Sequence, residues 1–157
     1  MAGATMELHL VNGTQCLDGT PAGFYIHHPS ASRSKWLFKF QGGGWCYDPE
    51  LCYRRIVEVP SKASSKGWQA TKQRSEHFLY STNATLNPAM HDASVVELPY
   101  CDGFSWSGGQ SIDEPPTWVN GTAVHMGRGL ANLRAMLGHL VRHEGLGAAD
   151  DLVLSGG

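Results

Sequence analysis

The chain has 157 residues, 41% of them hydrophobic and 17% charged, with 19 glycines and a net charge of −2. That length accommodates one domain, 1–157, with its own core, and the glycine-rich, charge-poor balance favours a loop-rich α/β or α+β protein over a helical bundle. No basic run exceeds two residues, which excludes a nucleic-acid footprint or a surface for anionic membranes, and no apolar stretch approaches the roughly 18 residues that span a bilayer.

The opening residues, MAGATMELHLV, lack a basic leader, and Glu7 and His9 break their apolar stretch, so they do not read as a secretory signal. Two other features point outward. Asn12, Asn83 and Asn120 each begin an Asn-x-Thr sequon, and the four cysteines, Cys16, Cys46, Cys52 and Cys101, are even in number. Together they predict a secreted, disulfide-bonded glycoprotein.

Residues 23–28 (GFYIHH) are aromatic and β-branched and stop at Pro29, as a short strand does. Residues 30–34 are polar and turn-like. A second strand follows over 35–41 (KWLFKFQ), and the closeness of the two suggests a hairpin. Residues 46–75 read as loop with one short helix. ASVVEL, 93–98, is a clear strand ended by Pro99. Residues 102–121 read as a long loop, and long loops in compact domains are commonly functional.

Then the period changes. Met126, Leu130, Leu133, Leu137, Leu140 and Val141 recur at spacings of three and four, which predicts a helix from about Arg128 to Glu144 stopped by Gly145. Asp151-Leu-Val-Leu is a further strand. Strand, crossover helix and strand imply parallel pairing and an α/β fold.

Several groupings carry candidate chemistry. Gln41-Gly42-Gly43-Gly44-Trp45 directly follows a strand. A glycine tract there leaves backbone N–H groups accessible to a ligand oxygen, as in an oxyanion hole, although a bare triple glycine is equally often a flexible turn. The terminal LVLSGG reads as a strand entering a nucleophile elbow of the type G-x-S-x-G. In that frame Gly156 is the first glycine, Gly157 the variable position, and the serine comes next. Ser155 is out of frame, because Val153 stands where glycine is required.

Cys46 and Cys52 could close a short loop, leaving Cys16 to bridge to Cys101; four cysteines permit three connectivities, and spacing does not choose. The cysteines lack zinc-arm spacing. His139 and His143 stand at i, i+4, but packing and end-of-helix charge explain them, so no metal is expected. No Ser-His-Asp triad is recognisable within the chain. Trp45, Trp106 and Trp118 could line a sugar-stacking groove, with ordinary packing as the alternative.

Four segments in one order, CLDGTPAGFY from Cys16, KWLFKFQGGGWC from Lys35, PYCDGFSWSG from Pro99 and LVLSGG from Leu152, resemble the pectin acetylesterase / Notum family of carboxylesterases. The resemblance runs from about residue 12 to the last. It implies the N-terminal part of an α/β-hydrolase-like fold, with a serine nucleophile in a segment like S-G-x-S-A-G-G, one residue past Gly157, and the triad Asp and His further on. It maps oxyanion donors onto Gly43, Gly44 and the N–H of Trp45, and implies secretion, disulfides, an ester substrate and no cofactor. Gln41 stands where the family commonly has Glu. The residues around Tyr100 are similar to the plant pectin acetylesterases, whereas Trp106-Ser-Gly is closer to the Notum branch. The substrate is therefore expected to be an acetylated, pectin-like polysaccharide or, alternatively, a lipidated protein; a non-catalytic carbohydrate-binding remnant is the remaining reading. Lacking the triad, these residues alone are expected to be inactive, and the unpaired edge at 151–155 to make them poorly soluble or partly disordered.

Overall fold

The computed structural model describes residues 4–29 and 33–157. Its strands are β1 (Thr5–Leu10), β2 (Gly23–His27), β3 (Lys35–Phe40), β4 (Thr71–Gln73), β5 (Ser94–Leu98), β6 (Thr117–Val119), β7 (Thr122–Val124) and β8 (Asp151–Gly156), and its longer helices are α1 (Pro49–Glu58) and α2 (Gly129–His139). Six strands form one mixed sheet in the order β4-β1-β2-β5-β3-β8, and β6 and β7 form a separate hairpin.

The expected strands at 23–28, 35–41, 93–98 and 151–155 all form. The expected hairpin between the first two does not. β2 pairs antiparallel with β1 on one side and with β5 on the other, while β3 pairs parallel with β5 and β8. β2 thus has both edges occupied, and β3 lies on the far side of β5. The turn expected over 30–34 falls at 30–32 outside the described residues. The parallel pairing inferred from the crossover helix is present, with β3 lying between β5 and β8.

The middle strands are apolar on both faces, as strands covered on two sides must be. Phe24, Ile26, Trp36, Phe38, Val96 and Leu98 face one core with Met136 and Leu140 of the helical segment. Tyr25, Leu37 and Val95 face the other, with Met6, Met90 and Ala93. β8 is the outer strand, and its Leu152 and Leu154 are more than half exposed.

Two differences from the sequence reading have physical causes. The helix begins after Arg128 and stops at Gly145, as expected, but its last turn, Leu140–Glu144, is π-helical. Its fully buried positions are Gly129, Asn132, Met136 and Leu140, whereas Val141 is exposed. Asn132 is buried because its amide exchanges two hydrogen bonds with the backbone of Gln15 (2.8 and 2.7 Å). Secondly, the loop expected over 102–121 contains β6 and turns into β7 through Asn120 (φ 48°) and Gly121 (φ 76°). Both central residues are left-handed, the conformation a two-residue hairpin turn demands and Asn-Gly supplies.

Candidate active site

β3 runs into the glycine tract at one end of the sheet. The parallel ladder that pairs Phe40 with Gly156 extends further, and Gly42 N–H donates to the Gly157 carbonyl at 2.8 Å. The glycine tract and the chain's final Gly-Gly are therefore adjacent.

The carbonyls of the tract are tied back. Arg55 on α1 donates from Nη1 to the carbonyls of Gly43 (2.9 Å) and Gly44, and from Nη2 to that of Trp45 (3.1 Å). Lys62 Nζ donates to the Gly42 carbonyl at 3.1 Å. The Tyr100 hydroxyl donates to the Gly44 carbonyl at 2.8 Å and accepts from Ser105 N–H at 3.0 Å. Among the described residues, the N–H groups of Gly43, Gly44 and Trp45 find no acceptor. A backbone whose carbonyls are held and whose amides stay available can receive an anion.

Local chemistry explains the shape. α1 is started by Asp48, whose carboxylate accepts from Leu51 N–H at 2.8 Å, with Pro49 at the first helical position and Glu50 in the first turn. That start aims Arg55 back at the tract. The Cys46–Cys52 disulfide joins the tract's end to the same helix, and the Cys16–Cys101 disulfide ties the N-terminal loop to the segment after β5. Of the three connectivities open to the sequence, this one is formed.

The facing wall is the turn after β5. Asp102 is 1% exposed; one carboxylate oxygen accepts from Phe104 and Trp106 N–H, each at 3.0 Å, and the other has no partner. Burial raises its pKa against the lowering effect of those two N–H donors. Burial likewise raises the Tyr100 pKa, and the Asp102 charge adds to it. Ser105 (φ 52°) and Trp106 (φ 62°) are both left-handed, which costs a bulky residue on the order of 1–3 kcal/mol, and the Asp102 and Tyr100 contacts hold them there.

The expected site residues are placed as follows. Gly43, Gly44 and Trp45 directly follow Gly42, whose N–H meets the Gly157 carbonyl, and Gly43 lies against the Tyr100 ring. Trp45 is 68% exposed and its indole donates to the Ser105 hydroxyl. Trp106 packs on Phe40 and Tyr100, with ring centroids 5.7 and 6.3 Å apart. Trp118 is exposed on the separate β6–β7 hairpin. Ser155 is occupied: its hydroxyl donates to the Phe38 carbonyl at 2.9 Å and meets the Tyr80 hydroxyl. Asn12, Asn83 and Asn120 are all exposed. Among the described residues no helix is long and apolar enough to cross a membrane.

Arg55, Tyr100 and Asp102 were not marked as site residues by the sequence. Tyr100 and Asp102 lie within a segment that carries the resemblance, which was the available signal; Arg55 had none, because its role exists only once the tract folds against α1.

Comparison with known proteins agrees with this architecture. The family model described as pectinacetylesterase matches residues 2–157. The chain is 32% identical over 142 residues to the human palmitoleoyl-protein carboxylesterase NOTUM, covering 84% of this chain and 28% of that protein. It is 34% identical over 105 residues to a Danio rerio protein named inactive palmitoleoyl-protein carboxylesterase notum1b, covering 66% of this chain and 73% of that one. The crystal structure of the Wnt deacylase Notum from Drosophila superposes with a TM-score of 0.81 at 29% identity, over 97% of this chain and 43% of that chain, so the fold is α/β-hydrolase-like. The chain thus spans under a third of the human relative's length.

Proposed function

The chain belongs to the pectinacetylesterase family, and from that premise we propose that it forms the oxyanion-binding half of a serine carboxylesterase. The observation that carries this reading is the run of amides without acceptors at Gly43, Gly44 and Trp45, directly after Gly42, whose N–H meets the Gly157 carbonyl. The nucleophile is a serine following Gly157. It attacks the ester carbonyl, a histidine takes its proton, and the three N–H groups hold the negative oxygen of the tetrahedral intermediate. Fixed donors of this kind work because they need no reorganisation as charge develops, and losing one costs on the order of 10²–10³ in rate. Acyl transfer by this route needs no cofactor.

Two substrate classes follow. The names of the relatives support removal of a long acyl chain from a protein; the family description supports deacetylation of a pectin-like polysaccharide. The exposed sequons and the two disulfides support work outside the cell.

The test uses the full-length gene product. A serine-directed phosphonate should label the serine after Gly157 and abolish turnover of p-nitrophenyl acetate. Comparing release of palmitoleate from an acylated peptide with release of acetate from acetylated pectin then separates the substrate classes. No labelling and no turnover of any of the three esters would overturn the esterase reading. It would favour a carbohydrate-binding remnant, for which the exposed Trp45 and the relative named inactive give specific support.

A further inference from the structure

Side chains from two distant parts of the chain, His9 near its start and His139 with Glu144 near its end, meet beside β1. One ligand atom from each of His9 on β1, His139 on α2 and Glu144 in the π turn lies within 4.8 Å of the other two. No other group of three His, Cys, Asp or Glu side chains does this among the described residues.

The π turn creates the meeting. In a regular α-helix residues i and i+5 diverge by about 140° around the axis, whereas a wider turn brings them towards one face. Leu140–Glu144 is such a turn, which sets Glu144 beside His139. This is why the i, i+4 pair of His139 and His143 drew attention in the sequence and the i, i+5 pair did not.

The ligands are also held. The His9 ring stacks on Phe24 at 5.4 Å and meets the His139 ring edge-on at 5.9 Å. Glu144 uses one oxygen to pair with His28 Nε2 at 3.0 Å, and His28 Nδ1 bonds the buried Ser94 hydroxyl at 2.9 Å. That leaves the other oxygen facing His9 Nδ1 at 3.8 Å. This is too long for a hydrogen bond. It suits two ligands of one ion: bonds of about 2.0–2.1 Å meeting near the tetrahedral angle set neighbouring ligands roughly 3.4 Å apart. The His28 pair is the outer hydrogen bond that metal-binding carboxylates ordinarily have.

We propose that His9, His139 and Glu144 form a zinc-binding site, with His28 positioning Glu144 and a water completing the coordination. Two imidazoles and one carboxylate suit Zn²⁺ and disfavour the hard, all-oxygen preference of Ca²⁺ and Mg²⁺. β1, which carries His9, is separated from β3 by β2 and β5 in the sheet, and at a strand spacing of about 4.8 Å the ion lies roughly 14 Å to the side of the strand that leads into the glycine tract, so it takes no part in acyl transfer. It would clamp β1 and the segment after β2 to the end of α2.

The test is zinc binding by tag-free, metal-stripped full-length gene product, followed by equilibrium dialysis and thermal melting with ZnCl₂ or CaCl₂. One zinc per chain should bind at micromolar or lower concentration and raise the melting temperature, with no effect of calcium. His9→Ala and His139→Ala should each weaken binding at least tenfold, His28→Ala by about tenfold, and His91→Ala not at all. Glu144→Gln keeps the shape of the side chain and should weaken binding at least tenfold even where an alanine variant fails to fold. Absence of stoichiometric zinc, or unchanged affinity in Glu144→Gln, would overturn the proposal; neither result bears on the esterase reading.

Discussion

A methyl group on Gly43 would lie 2.1 Å from Cδ1 of the Tyr100 ring, so backbone and ring meet there only because residue 43 has no side chain. Gly43→Ala should cost about 1–3 kcal/mol through overpacking. Tyr100→Leu, harmful alone, should recover part of that loss in the double variant. Thermal melts of the four proteins measure the coupling, and strict additivity would contradict the contact.

Arg55 holds three successive carbonyls of the tract. In the full-length gene product Arg55→Met should lower kcat about tenfold or more while leaving KM nearly unchanged. That is a fraction of what outright loss of an oxyanion donor costs. Arg55→Lys should not restore the rate, since an ammonium lacks the planar fork. Steady-state kinetics of the two variants decide it.

The two disulfides should differ in weight. Cys16–Cys101 closes 85 residues and Cys46–Cys52 only 6. On chain entropy alone the longer loop contributes about 4–5 kcal/mol and the shorter about 2–3. Urea melts of the Cys16→Ala/Cys101→Ala and Cys46→Ala/Cys52→Ala variants should rank in that order, and the reverse ranking would show that the small loop acts through native packing.

Asp102 gives a pH dependence of opposite sign to most carboxylates. Burial raises its pKa in the folded protein, so between the ordinary and the raised value the folded state holds a proton that the unfolded chain has released. Its contribution is complete below the ordinary carboxylate pKa near 4 and is lost as pH rises through the raised value. Asp102→Asn does not titrate. The stability of the variant relative to the wild type should therefore improve as pH rises from about 4, a trend that denaturant melts across pH will read directly.

The strands at 23–27, 35–40, 94–98 and 151–156 were visible because both faces of each are apolar, or because turn residues bracket them. Their order was not. Adjacency in sequence suggests a hairpin, and the actual pairing depends on β1, whose alternating Met6, Leu8 and Leu10 are interrupted by Glu7 and His9. Asp48-Pro49-Glu50 is a strong helix start set within a polar segment, and Asn120-Gly121, a sequon in the sequence, is a hairpin turn in the fold. At the site, the glycine tract was legible and what restrains it was not. Arg55, Tyr100 and the left-handed Ser105 and Trp106 act through contacts that no local spacing encodes.

The bond from Ser155 to Phe38 spans 117 residues of chain. At a synthesis rate of about 5–20 residues per second, β3 leaves the ribosome roughly 6–23 seconds before the strand that flanks it. Through that interval β5 can already pair with one edge of β3, while the edge that receives β8 stays open, so the last closure of this sheet is set by the timing of synthesis rather than by local sequence.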